Sequence, residues 1–123
     1  MEPLGVHHVS VNVVDVNESL AFYTGVLGLS PRSDRPDFGF GGAWLDAGAQ
    51  QQVHLIEAKP PPDFGQHLAL AVGHLGATIA ELRGSGVEVT DAIEVGPALQ
   101  AFLHDPDGNT IELYQRADPA QSP

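Results

Sequence analysis

The chain repeats one arrangement of secondary structure, and this internal duplication restricts the fold more than any other feature of the sequence. His67 follows His8 by 59 residues, and the same offset places Ile79 on Leu20, so the strand and the helix of each half coincide. Each half therefore predicts a strand–helix–strand–strand–strand unit, with a period of half the chain rather than the short period of a solenoid. A length of 123 residues suits one domain made of two such units.

Hydrophobic periodicity and turn residues set the boundaries of the predicted elements. The three consecutive prolines in 59–65 cannot continue a helix or a central strand, so this segment is interpreted as a linker between the halves. The other predicted elements are strand 6–14, helix 15–28, strands 43–48 and 51–58, strand 66–72, helix 75–86, and strands 87–93, 98–104 and 110–115.

The stretch "GVHHVSVNVVD" alternates apolar and polar residues, as a half-buried strand does. The valines share one face with His7, while His8, Ser10 and Asn12 share the other. His8 is therefore the histidine expected on a polar surface, and His7 is expected on the side that packs against the helix.

Four residues able to bind a metal occupy matching places in the two halves. His8 and His54 lie on the first and last strands of the first half, and His67 and Glu112 lie on those of the second. A charged or imidazole group in a partly buried strand needs a partner, and a divalent cation supplies one. Imidazole and carboxylate ligands suit zinc, nickel, iron(II) or manganese, so the quartet predicts a metal site. His74 and His104 are expected to be solvated instead.

The charge balance limits the partners of the chain. The net charge is −11, with one lysine and four arginines, so nucleic acid and anionic membranes are disfavoured. No run of 18 apolar residues is present, and this predicts that no segment spans a membrane. The chain has no cysteine, which permits a cytoplasmic location. The acidic charge is explained by solubility or, alternatively, by attraction of cationic ligands or metal ions.

Three stretches, "HHVSVNVVDVNESLAFYTGVLGL", "QHLALAV" and "DPDGNTIELYQ", resemble the vicinal oxygen chelate superfamily, the glyoxalase/bleomycin resistance/dioxygenase proteins. The resemblance covers roughly residues 4–115. It implies an α+β fold of two βαβββ modules whose mixed sheets curl around a cleft. The implied domain covers 1–118, with module one at 4–58, the linker at 59–65, module two at 66–115 and a flexible tail at 119–123.

The resemblance also implies a function for the quartet. His8, His54, His67 and Glu112 would hold a divalent metal that stabilises an enolate or oxyanion, and Glu112 would act as the catalytic base of a lyase or isomerase. An iron(II) dioxygenase using His8, His67 and Glu112 and a metal-free antibiotic-binding protein remain alternatives. Members of this size commonly pair, so a homodimer is expected.

Side chains that alternate with a period of two along a strand share a face with the candidate metal ligands, and some of them are expected to bind substrate. The loop "RPDFGFGGAW" is expected to close one end of the site, with Phe38, Phe40 and Trp44 forming an apolar wall, and Arg32 or Arg35 could bind a substrate carboxylate. The further candidates on this face are Asn12, Gln52 and Tyr114.

Overall fold

Each half of the sequence forms its own four-stranded mixed sheet. The computed structural model describes residues 1–117; the predicted tail at 119–123 lies outside the described residues. The chain divides into two units, the first from Met1 to Pro62 and the second from Asp63 onward.

The first unit begins with a strand that pairs with the last strand of the same unit. The sheet order is β1-β4-β3-β2, with β1 and β4 parallel and the other neighbours antiparallel. Asp15 begins the helix by accepting a hydrogen bond from the backbone N–H of Glu18, at 3.1 Å. The elements are β1 (His8–Val13), α1 (Val16–Ala21), a π-helical turn (Phe22–Val26), β2 (Ser30–Pro31), β3 (Gly42–Ala47) and β4 (Gln51–Glu57).

The second unit repeats this order with a longer helix. Its sheet runs β5-β8-β7-β6, again with the first and last strands parallel. The elements are β5 (Leu68–Ala71), α2 (Leu75–Gly84), β6 (Ile93–Val95), β7 (Ala98–His104) and β8 (Thr110–Gln115).

The last strand of each unit contributes buried residues to the core, and these residues lie at equivalent positions in the two strands. Val53 and Leu55 are buried on β4, and Ile111 and Leu113 are buried on β8. The alternate residues of both strands face away from these cores, as the period of a strand requires. The predicted α+β class is confirmed.

The strand predicted at 87–93 is wrong, because that stretch runs beside β7 without forming a regular ladder. The carbonyl of Val89 accepts a hydrogen bond from Arg83, at 2.8 Å. The N–H of Phe102 donates to the hydroxyl of Thr90, also at 2.8 Å, instead of to a backbone carbonyl. The N–H of Thr90 does donate to the carbonyl of Phe102, at 3.0 Å, but side chains occupy the neighbouring groups, and the strand that forms is β6.

The helix predicted at 15–28 also differs in its second half. Leu27 donates its N–H to the carbonyl of Phe22, five residues earlier, at 3.1 Å. The hydroxyl of Thr24 donates to the carbonyl of Leu20, at 2.7 Å, and such side-chain bonds bend helices. The apolar residue Tyr23 is nevertheless fully buried.

Among residues 1–117, no helix combines the length and the hydropathy that a membrane span requires.

Candidate functional site

The parallel strand pairs place the predicted ligands at equivalent positions in both units. Ser10 is the partner of His54, and His8 lies two residues before Ser10. Ala69 is the partner of Glu112, and His67 lies two residues before Ala69. In each unit, the two candidate ligands are therefore diagonal neighbours on one face of the sheet, within reach of long side chains.

The second unit brings its pair into direct contact. His67 Nε2 and Glu112 Oε1 are 3.0 Å apart, and Glu112 is the more buried of the two side chains. His67 Nδ1 donates to the carbonyl of Gly65, at 2.9 Å. Gly65 adopts a φ of +98°, a conformation that side chains disfavour.

This contact favours a proton on the His67 ring. Both ring nitrogens face oxygen atoms, and the backbone carbonyl of Gly65 can only accept a hydrogen bond. The Gly65 carbonyl, followed by the Glu112 carboxylate, raises the pKa of His67 above its usual value of 6.5. When the ring is protonated, Nε2 donates a charge-assisted hydrogen bond to the Glu112 carboxylate.

The first unit arranges its pair differently, as part of a stack of rings. The rings of His8 and His54 lie nearly parallel, with centroids 4.0 Å apart. Trp44 covers the other face of His54, with centroids 4.5 Å apart, because β3 pairs Trp44 with His54. His7, expected on the helix side, instead has its Nδ1 2.9 Å from His8 Nδ1.

His54 is the buried member of this stack. Its ring Nε2 lies 2.8 Å from the Gln52 side-chain oxygen, which can only accept, so Nε2 carries the hydrogen and Nδ1 the lone pair. Burial, followed by the neighbouring His8, lowers the pKa of His54. His54 is therefore a neutral imidazole near pH 7, the form that binds metals.

The aromatic row continues from Trp44 into the connection before β3. Phe38 lies 6.1 Å from Trp44 and 5.6 Å from Phe40, measured between ring centroids. The Arg35 guanidinium lies over both phenyl rings, at 5.1 and 5.5 Å from their centroids. Three of the predicted substrate-binding residues, Arg35, Phe38 and Trp44, are thus grouped on one side of the first unit.

The remaining predicted residues are not all engaged in the same way. Asn12 donates to the carbonyl of Lys59, at 3.1 Å, and so ties β1 to the linker. Tyr114 is half-buried beside Gln100 of β7. His74 and His104 are both exposed, as expected of solvated histidines.

The donor chemistry of the second unit fits a divalent metal. Adjacent ligands of a zinc ion bound at ordinary lengths stand about 3.0 to 3.4 Å apart. His67 Nε2 and Glu112 Oε1 have this spacing, and the bond from Nδ1 to a backbone carbonyl is the usual support of a metal-binding histidine. Residues 1–117 contain no group of three or more His, Asp or Glu side chains placed to hold a metal ion.

Sequence reasoning missed the stacking of His54 between two rings. The signal was partly present, because a hairpin turn at 48–50 sets Trp44 opposite His54. The parallel register that brings His8 over the other face cannot be read from a turn, since β1 and β4 are far apart in the sequence.

Comparison with known proteins agrees with this architecture. A lactoylglutathione lyase from Salmonella typhimurium is 31% identical over 90% of this chain and 92% of its own length. The crystal structure of a glyoxalase family protein from Bacillus anthracis matches with a TM-score of 0.84 and 26% identity, covering 94% of this chain and 98% of that one. The antibiotic-binding protein TnmS3 from Streptomyces sp. CB03234 matches with a TM-score of 0.83 and 28% identity, covering 95% and 99%. The family model of the glyoxalase/bleomycin resistance protein/dioxygenase superfamily matches residues 5–113, and the chain belongs to this superfamily.

Proposed function

We propose that the chain is a lyase or isomerase that depends on a divalent metal and acts on a small molecule with adjacent oxygen atoms. The metal ligands in this proposal are His8 and His54 of the first unit and His67 and Glu112 of the second. The main support is the His67–Glu112 contact of 3.0 Å, which has ligand spacing and occupies the same register positions as the His8–His54 pair. The similarity to lactoylglutathione lyases supports the reaction class.

The chain's own groups have distinct tasks in this proposal. A bound divalent metal would supply Lewis-acid stabilisation of negative charge developing on a substrate oxygen. Glu112 is the only carboxylate of the quartet, and it would take a proton from a substrate carbon and return it to a neighbouring one. The Gly65 carbonyl would fix the His67 ring through Nδ1, so that Nε2 points at Glu112.

Elemental analysis of protein purified without chelators tests the metal. We expect zinc, nickel, manganese or iron in a fixed ratio to the chain, and turnover of thiol adducts of small 2-oxo aldehydes when that metal is present. His67→Gln should lower the metal content, whereas His74→Gln should not, because His74 is exposed and lies outside the quartet. Equal metal content in both variants, or no stoichiometric metal at all, would refute the proposal. Bound iron with oxygen-dependent turnover of a catechol would identify a dioxygenase instead.

A second candidate function is sequestration of a ligand without catalysis. It is supported by the similarity to TnmS3, which is described as an antibiotic-binding protein, and by the exposed rings of Phe38 and Phe40. A metal-free protein that binds an aromatic ligand tightly and leaves it chemically unchanged would favour this function.

We also propose that the chain forms a homodimer in the cytoplasm. Large apolar side chains on the surface of the single chain, such as Ile93 and Val95 of β6, are available for burial between two copies. Sedimentation equilibrium should give twice the mass of the 13.0 kDa chain. A single-chain mass at micromolar concentration would contradict the homodimer.

A further inference from the structure

Two arginines in the connection between α1 and β3 have very different surroundings. Arg32 is held by Asp34 and Asp46, each at 2.8 Å, and these carboxylates raise its pKa. Arg35 forms no ion pair with any carboxylate of residues 1–117. The guanidinium of Arg35 is therefore not neutralised by a carboxylate of these residues, and it keeps its donors for an external carboxylate.

Arg35 is nevertheless held in place. Its guanidinium donates to the carbonyl of Phe40, at 2.9 Å, and lies over the rings of Phe38 and Phe40. The guanidinium also packs close to the backbone at Gly42, where a Cβ would lie 2.9 Å from one of its nitrogens and nearer still to the carbonyl oxygen of Leu55. A planar guanidinium fixed by a carbonyl and two rings loses little freedom when it binds a carboxylate.

The rings beside Arg35 offer an apolar surface. Phe38 and Phe40 are each 50% exposed, although both are large hydrophobic side chains. Phe38 also borders Trp44, which stacks on His54. A flat aromatic molecule can cover such rings with favourable offset contacts, which a bulky aliphatic molecule of the same size cannot make as well.

We infer that Arg35, Phe38, Phe40 and Trp44 bind a planar aromatic carboxylate, with the carboxylate on Arg35 and the ring system on the aromatic side chains. As a statement about substrate class, this inference rests on the proposed function. As a statement about binding, it concerns the first unit alone and needs no metal, so the two can fail separately.

Trp44 is the only tryptophan of the chain and reports directly on this surface. The experiment titrates metal-free protein, kept in EDTA and about 0.15 M salt, with 2-naphthoate, and follows both Trp44 fluorescence and heat release. The comparison probes are 2-naphthalenemethanol, which lacks the charge, 2-naphthylmethylamine, which reverses it, and decahydro-2-naphthoate, which lacks the aromatic rings. We expect saturable binding of 2-naphthoate, and at least fivefold weaker binding of each comparison probe.

The variants separate the charge from the rings. Arg35→Gln should weaken 2-naphthoate binding roughly 10- to 100-fold, because charge-assisted hydrogen bonds are lost. Arg83→Gln removes the same charge from an exposed arginine of the second unit and should change affinity less than twofold. Phe38→Leu should weaken binding roughly two- to tenfold through the loss of ring contacts.

Three results would overturn the inference. These are no saturable binding of 2-naphthoate, equal binding by the wild type and Arg35→Gln, and binding of the neutral or cationic probe as tight as that of 2-naphthoate. Metal content, measured separately, decides the proposed function. A protein that binds metal but not 2-naphthoate refutes only the ligand class, whereas one that binds 2-naphthoate but no metal refutes only the metal-dependent activity.

Discussion

The two units place their candidate ligands at the same strand positions but surround them with different chemistry. In the first unit, His54 is a buried imidazole stacked between His8 and Trp44. In the second, His67 is more exposed and contacts the carboxylate of Glu112. The first arrangement depends on stacking of a neutral imidazole between rings, and the second depends on a hydrogen bond to a charged carboxylate.

The difference shows which features the internal duplication carries over. The backbone register and the buried faces of the last strands are the same in both units. The opposite faces of these strands, which carry the candidate ligands, have different side chains in the two units. The aromatic row and Arg35 therefore belong to the first unit, and the acid–base pair belongs to the second.

The largest expected effect comes from the carboxylate that only the second unit has. Glu112→Gln keeps the shape of the side chain but removes its ability to take a proton. We expect kcat to fall roughly 10²- to 10⁴-fold, the usual contribution of a general base. Initial rates on the substrate turned over by the wild type measure this loss.

The matched variant for this prediction is His54→Gln in the first unit, which leaves Glu112 intact. It should reduce kcat by a smaller factor, even where the metal is bound less tightly. If both variants lose kcat equally at saturating metal, Glu112 has no special role as a base, and the units are functionally alike.

The cores of the two units are expected to contribute comparably to the free energy of unfolding. Leu55 and Leu113 occupy equivalent positions on β4 and β8, at 1% and 2% exposure. Leu55→Ala and Leu113→Ala should each lower the free energy of unfolding by about 2 to 5 kcal/mol, through lost contacts and a cavity. Urea denaturation measures both. A cost below about 1 kcal/mol in one unit and a large cost in the other would show that the cores are not equivalent.

The same comparison explains how much of the fold the sequence predicts. Strands such as β7 and β8 are readable because alternation and the "DPDGN" turn define their ends. The predicted strand at 87–93 fails although it alternates, because Thr90 and Arg83 form side-chain bonds where a ladder would need backbone partners. Alternation reports which residues are buried and does not report which backbone groups side chains will occupy.

The sequence also predicts the side chains of the candidate site better than the backbone groups that support them. The duplicated spacing picks out His67 and Glu112, which the structure brings into contact, and His8 and His54, which it stacks. The Gly65 carbonyl that orients His67 gives no sequence pattern, because every residue has a carbonyl and its direction depends on the local backbone conformation. Side-chain identities are visible in a sequence, whereas the backbone groups that support them are not.

The His67–Glu112 pair and the His8–His54 pair are expected to differ in metal affinity, by less than the effects described above. His67 Nε2 and Glu112 Oε1 already have ligand spacing once the metal displaces the hydrogen between them, whereas Gln52 holds the Nε2 of His54, so that only its Nδ1 can bind metal without a side chain moving away. His67→Gln should therefore lower zinc affinity more than His54→Gln does, by roughly tenfold, in competition with a chromophoric chelator. The reverse order would indicate that the stacked histidines of the first unit are the stronger ligands.

The smallest expected effect is the opposite titration of the two histidines in metal-free protein. Burial lowers the pKa of His54, while the Gly65 carbonyl and Glu112 raise the pKa of His67, so NMR titration midpoints should fall on opposite sides of 6.5.

The raised pKa of His67 contributes stability that is complete below the unfolded value and disappears as the pH rises through the folded pKa. The lowered pKa of His54 acts in the other direction, with a contribution that is present above the unfolded value and is lost as the pH falls through the folded pKa. His54→Gln and His67→Gln each remove one resonance and so assign the midpoints. If both midpoints fell on the same side of 6.5, the stacked His54 and the hydrogen-bonded His67 would not differ in protonation, and this prediction would be wrong.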